Sequence, residues 1–284
     1  MQWPKKNQWP SRRYRSTFPR CRACPASWKA WQQKNGVAYQ VLDPKFDPVM
    51  QSQQLQTLIE TRRINGAWAI VIAEPPMVPA IEAAIRNEVA LVVSGRPAFY
   101  GFDGPQPGIA FSAIDYSELG GALGGKLAEC LNERAVGGKV FEFIETGANA
   151  ELIREFGIQT LTSNSKAEIE IVNQTDVRDP VQAQQQVLAA LQANPDIAGV
   201  YALNDEQTLG AVTAFESAGI DVPCIVTSGG GDEVKRFHEE GKVYSYVGFD
   251  FAGDAIQNFQ TLLKMMDNPT EPGPILNIPL VYSN

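Results

Sequence analysis

At 284 residues, with 44% apolar residues and a net charge of −8, the chain is long enough for two α/β lobes or one large domain and apolar enough to bury a real core. Residues 1–26 carry seven basic residues and no acidic ones, so the rest of the chain holds 17 basic against 32 acidic residues. A body that acidic argues against nucleic acid as its main partner.

No run of about 18 apolar residues occurs, so no span of the membrane-crossing kind is expected. The basic N-terminus is not followed by the apolar stretch of an export signal, which predicts either a cytoplasmic chain or one whose true start is missing. Residues 1–25, with four prolines and no periodicity, read as an atypical, disordered segment. They contain Cys21 and Cys24 in a CxxC spacing. A zinc site would need two more ligands at matching spacing, and His238 is the only histidine, so no metal site is expected. Cys130 falls in a helical pattern and Cys224 in a strand pattern, and both read as small core residues.

In chain order, Ala26 to Asn35 reads as a helix ending at Gly36, and Val37 to Leu42 as a strand. Asp47-Pro48 opens a helix with Leu55, Leu58 and Ile59 on one face. Gly66–Ala73 is a buried strand, Pro79 starts the next helix, and Val89–Ser94 and Ile109–Ile114 are strands. Asp115 caps a helix in which Leu119, Leu123, Leu127 and Leu131 recur every four residues. Its glycines, Gly120, Gly121, Gly124 and Gly125, each cost about 1 kcal/mol in a helix and so predict close backbone packing. They match neither a dinucleotide fingerprint nor a phosphate loop.

Further strands are expected at Lys139–Ile144, Glu168–Val172, Ile197–Leu203, Cys224–Thr227 and Val243–Val247. Helices lie between them at Leu152–Leu161, Val181–Ala193, Glu206–Ala218, Asp232–Glu240 and Ala252–Met266. Strands alternating with helices predict an α/β fold with parallel sheets covered on both faces, and roughly nine strands fit two lobes better than one.

Catalytic constellations are missing. There is no GxSxG and no HExxH, and nothing pairs a nucleophile with a base. His238 lies in a charged helix and reads as solvated. Binding without chemistry is the expectation, with no cofactor. Polar residues at strand ends mark where a ligand belongs, because open α/β sheets bind outside the carboxyl ends of their strands. These are Arg96, Arg154, Arg178, Asn204 and the run from Ser228 through Gly229 to Gly231. Asn204, after the apolar run Ile197–Leu203, reads as a ligand contact, and Asp205 as the cap of the following helix.

Four stretches carry a resemblance: VLDPKFDPVMQSQQLQTLIE, IDYSELGGALGGKLAECL, DPVQAQQQVLAALQANPDIAGVYALNDEQTLGAVTAFESAGI and GKVYSYVGFD. With them, residues 26–284 resemble sugar-binding periplasmic proteins of the ribose-binding type, the group that also supplies the ligand-binding core of lac-repressor-like regulators. The resemblance implies two Rossmann-like lobes, 26–114 plus 250–275 and 115–249 plus 276–284, joined by three crossovers that act as a hinge. It implies a sugar in the cleft between them, a membrane ABC permease as partner, a monomer, and a periplasmic or cell-envelope location.

Residue by residue, Arg96 matches the arginine of the family's Asp-Arg pair, with Gly95 in the aspartate's place. Arg154 matches a cleft arginine and Asn204 the cleft asparagine. Gly229 replaces a cleft aspartate, Arg178 an aromatic that stacks on the sugar, and Phe249 a polar residue. Two carboxylates lost while arginines remain predicts a ligand with anionic character, such as a sugar acid or a phosphorylated polyol, which Gly229–Gly231 could meet with backbone N–H groups. A neutral sugar or polyol is the alternative ligand. The family's first strand should precede Ala26, and residues 1–25 do not resemble it. Taken literally, the sequence predicts a first lobe without its central strand. The importer component is the leading function. A sugar-responsive regulator core lacking its DNA-binding domain is the alternative.

Overall fold

The computed structural model describes residues 14–18, 37–221 and 223–283. The expected helix at Ala26–Asn35 and the CxxC pair lie outside the described residues. The chain forms two compact units. One runs to Ile114 and takes in Phe251–Ile278; the other comprises Asp115–Asp250 and the residues from Pro279 on. The chain passes between them after Ile114, Asp250 and Ile278.

The first unit begins with β1 (Tyr14–Phe18), β2 (Val37–Val41) and α1 (Pro48–Glu60). Asp47 caps α1, its carboxylate accepting from the Val49 and Met50 amides at 2.9 Å, which satisfies two N–H groups that have no partner inside the helix. Then come β3 (Gly66–Ala69), α2 (Glu74–Asn87), β4 (Ala90–Ser94), a short 3-10 turn (Pro97–Tyr100) and β5 (Ile109–Ala113). Far along the chain, α8 (Phe251–Asp267) and β11 (Ile275–Asn277) return to this unit. The sheet order is β11-β5-β4-β3-β1-β2, and every pairing is parallel.

Both faces of this sheet are covered, and the period-2 alternation of strands shows it directly. Leu91 and Val93 of β4 pack with Leu58, Ile59, Met77 and Ile81 of α1 and α2. Ala90 and Val92 pack with Phe259 and Leu262 of α8. This two-sided burial is why the strands read as unbroken apolar runs.

The second unit follows the same plan with α3 (Tyr116–Arg134), β6 (Lys139–Phe143), α4 (Ala148–Asn164), β7 (Glu170–Thr175), α5 (Pro180–Ala193), β8 (Gly199–Ala202), α6 (Asp205–Ala218), β9 (Cys224–Ser228), α7 (Asp232–Glu239), β10 (Ser245–Phe249) and β12 (Leu280–Tyr282). Its sheet order is β12-β10-β9-β8-β6-β7, parallel except for β12, which runs antiparallel to β10. Phe141, Phe143, Val200 and Ala202 join the core under α5 and α6. Val140, Tyr201, Val226 and Val247 join the core under α3 and α4.

Several expectations are corrected. The first sheet does not lack a central strand: Tyr14–Phe18, placed in the disordered segment, pairs with β2 on one side and β3 on the other. Parallel ladders are made by backbone groups, so a five-residue stretch between prolines suffices. Cys130 and Cys224 are not separate core residues but form a disulfide, their Cα atoms 5.8 Å apart, because α3 packs against β9. Pro79 does not open a helix. It lies inside α2, which starts at Glu74, and only one backbone bond near the first turn is forgone. β3 stops at Ala69 rather than Ala73. His238 is not fully solvated: it is half-buried, with Nδ1 3.0 Å from the Val243 carbonyl oxygen and its ring edge-on to Tyr246.

The paired glycines of α3 do pack closely. A Cβ on Gly120 would collide with the Ile153 carbonyl oxygen of α4, and one on Gly124 with the Gly157 carbonyl oxygen. Gly121 and Gly125 face Thr160 at ordinary contact distances of 3.6 and 3.7 Å.

Candidate functional site

In a doubly wound sheet the ligand crevice opens where neighbouring strands send their connections to opposite faces. In the second unit that point lies between β6 and β8, since β7 flanks β6 on one side and β8 on the other. Asn204 follows β8 there and Glu145 follows β6. The Asn204 Nδ2 donates to Glu145 Oε1 at 2.9 Å, joining the two strand ends.

Asn204 is held from all sides. Its Oδ1 accepts from the Gln207 amide at 2.9 Å, and its carbonyl accepts from the hydroxyls of Thr208 at 2.8 Å and Thr227 at 3.2 Å. Buried Gln207 fixes the turn further, accepting from the Leu203 amide at 2.8 Å and donating to the Val177 carbonyl at 3.0 Å. Asn204, rather than Asp205, is therefore the cap of α6. Asn204 takes the capping role expected of Asp205, because an N-cap needs an extended backbone and Asn204 has it, at φ −157° and ψ 171°.

Asp205 instead turns to the loop after β9. Its two carboxylate oxygens accept from the Gly230 amide at 3.0 Å and the Gly231 amide at 2.9 Å. The Gly229 amide donates to the Val247 carbonyl at 3.0 Å. Gly229 and Gly230 have φ of +135° and +118°, and a Cβ at 229 would strike the Asp205 carboxylate, so glycine is required there. The N–H groups expected to greet an anion are thus already occupied. Phe249 ends β10, half-buried and packed, like Leu280, against the core that contains Val247. Along the carboxyl edge the order is Phe249, Gly229, Asn204, Glu145.

Arg154 and Arg178 do not join this row. Arg154, one turn into α4, lies with Nε 3.1 Å from Glu142 Oε1 and 3.3 Å from Oε2. Glu142 is fully buried on β6 and also accepts from Gln174 Nε2 at 2.6 Å. Burial pushes the Glu142 carboxyl above its ordinary value, and the Gln174 and Arg154 contacts pull it part of the way back. Burial, with Glu142 close by, also raises the Tyr201 hydroxyl. Arg178 is exposed after β7, between Asp176 and Asp179, and Asp179 caps α5.

Arg96 belongs to the first unit, just past β4. Its Nη2 donates to Asn277 Oδ1 at 2.9 Å and to the Ile114 carbonyl at 3.5 Å. It therefore ties together two of the segments that lead out of that unit. Nearby, buried Asp254 accepts from Ser112, Gln257 and Asn258 at 2.7, 3.0 and 2.9 Å. Among the described residues no group of three His, Cys, Asp or Glu is placed to hold a metal ion.

Glu142 makes a testable pH prediction. A carboxyl raised in the folded state binds protons more tightly than in the unfolded chain, so its contribution is full below the ordinary Glu value of 4.5 and is lost as pH rises through the folded value. Measured between pH 4 and 8, the melting temperature of wild type minus that of Glu142→Gln is expected to fall with rising pH. A difference independent of pH would contradict this.

Solved structures place the architecture. A solute-binding protein of an ABC transporter from Actinobacillus succinogenes 130z, with bound D-allose, superposes with a TM-score of 0.65 at 16% identity, covering 96% of this chain and 98% of its own. A protein from Mycobacterium smegmatis gives 0.76 at 16% identity over 96% and 91%. An arabinose-binding protein from Geobacillus stearothermophilus gives 0.71 at 13% identity over 96% and 97%. At such identities the likeness establishes the fold: two α/β units with mainly parallel sheets, as in periplasmic binding proteins. The family follows from the sequence itself. Residues 23–269 match the periplasmic binding protein domain, and the chain belongs to that family. No curated protein matches it in sequence.

Proposed function

We propose that this chain is the substrate-binding component of an ABC-type importer, and that it holds a small sugar or polyol without altering it. The observation that carries this reading is the Asn204–Glu145 pair at the switch point of the second sheet. An amide beside a carboxylate offers a donor and several acceptors within one small area, which suits ligands made of adjacent hydroxyls. Gly229 and Phe249 complete that edge, and Arg96 is the corresponding polar residue of the first unit. Arg154 acts from beneath, through Glu142, and Arg178 from the rim.

The sugars named for two of the similar structures agree with this choice of ligand class. The Cys130–Cys224 disulfide favours a periplasmic or cell-envelope setting, since such bonds persist in oxidising compartments. It weighs against a cytoplasmic regulator core. A membrane ABC permease is the partner, and the chain acts as a monomer.

Titration calorimetry of the purified protein against pentoses, hexoses, polyols and aldonic acids tests the proposal. Saturable binding of at least one neutral sugar or polyol, recovered unchanged from the complex, is expected. Heat-silent titrations across the whole panel would overturn it.

A further inference from the structure

We infer that Glu145 is the specificity-determining acceptor of this edge, and that it directs the site to neutral, hydroxyl-donating ligands and away from sugar acids. This rests on the proposed sugar-binding function and sharpens it.

The donors available to an anion decide the matter. In the second unit the Gly230 and Gly231 amides are bound by Asp205 and the Gly229 amide by the Val247 carbonyl. The Arg154 guanidinium is drawn to Glu142 through its Nε, and the Asn204 amide gives one proton to Glu145. Arg178 lies exposed among carboxylates of its own loop, Asp176 and Asp179. Each of these groups thus has at least one donor engaged by an acceptor of the protein or stands beside acids.

Acceptors show the opposite balance. Glu145 receives one hydrogen bond, at Oε1 from Asn204, and it is only half-buried at the carboxyl edge of β6. A carboxylate oxygen can accept more than one hydrogen bond, so Oε2 and the second lone pair of Oε1 remain for a ligand. Hydroxyl donors to a carboxylate make short bonds about twice as strong as neutral ones, whereas a ligand carboxylate at the same place meets like charge. The Asn204 bond also fixes the rotamer of Glu145, which spares the ligand part of the cost of ordering it. Asn204 positions Glu145 in this arrangement, and Glu145 is the acceptor that touches the ligand.

The test uses calorimetry on wild type and Glu145→Gln, with whichever neutral sugar wild type binds and with the aldonic acid of that sugar. The variant keeps the shape and an oxygen for Asn204 but loses the charge. Wild type is expected to prefer the sugar over its acid by at least about 100-fold. In Glu145→Gln the sugar is expected to bind roughly 10-fold more weakly, and the gap between sugar and acid to narrow by about 10-fold. Two results would overturn the inference while leaving the sugar-binding function standing: wild type binding the acid at least as well as the sugar, or Glu145→Gln binding both ligands within twofold of wild type. The wild-type ranking decides even where the variant folds poorly. Absence of any sugar binding by wild type would overturn both.

Discussion

Breaking the disulfide between Cys130 and Cys224 is expected to destabilise the protein by about 4–5 kcal/mol, the loop-closure entropy of a cross-link between residues 94 apart in sequence. The bond joins α3 to β9, which lie far apart in the chain, across the face of the second sheet that α3 covers. Both cysteines are fully buried, so the reduced thiols have no new solvation to gain in the folded state. Nearly all of the effect therefore falls on the unfolded chain, which regains its freedom. The apparent melting temperature should drop by roughly 10–15 °C in strong reductant once unfolding exposes the bond, and equally in a Cys130→Ala/Cys224→Ala double variant without reductant. Peptide mapping under non-reducing conditions must show this pairing. Finding both thiols unmodified in oxidised protein, or an unchanged melting temperature in the double variant, would refute it.

The second large effect concerns the glycines of α3, and it has opposite signs at neighbouring positions. Gly124 meets the backbone of Gly157 across the α3–α4 contact, and a methyl there has no flexible neighbour to push aside. Overpacking of this kind costs up to about 3 kcal/mol, against roughly 1 kcal/mol gained in helix propensity. Gly124→Ala is therefore expected to lose up to about 2 kcal/mol. Gly121→Ala places its methyl 3.6 Å from Thr160 Oγ1, an ordinary contact, and should gain up to about 1 kcal/mol. Urea denaturation of the two variants checks both signs at once. Equal effects would mean that α3 and α4 do not approach as closely as described.

Much of this molecule was legible as sequence because its strands are buried on both faces. Apolar runs such as Ala90–Ser94 and Gly199–Ala202 announce themselves, and Asp47 and Asp115 mark helix starts by their side-chain chemistry. What escaped was decided by partners distant in the chain. β1 is defined by the ladders on either side of it, and the disulfide by the packing of α3 on β9. Glu142 sits between Phe141 and Phe143, where alternation predicts a solvent-facing residue, yet α4 covers that face. At the site, Asn204 was visible from its place after a strand. That it, and not Asp205, caps α6 was not, because Asp205 turns to the amides of a glycine loop 25 residues further on. Glu145 was hidden in plain sight, a carboxylate directly after a strand, with nothing in the local sequence to name its companion.

The short strands at the end of the chain carry one more implication. β11 and β12 are three residues each and nearly adjacent in sequence, yet β11 pairs with β5 in one sheet and β12 with β10 in the other. Truncation before Ile275 would strip an edge strand from both sheets together and expose the backbone rows of β5 and β10 to pairing with other chains. β11 and β12 thus protect both halves against aggregation, and an affinity tag inserted in place of either would uncover a sheet edge.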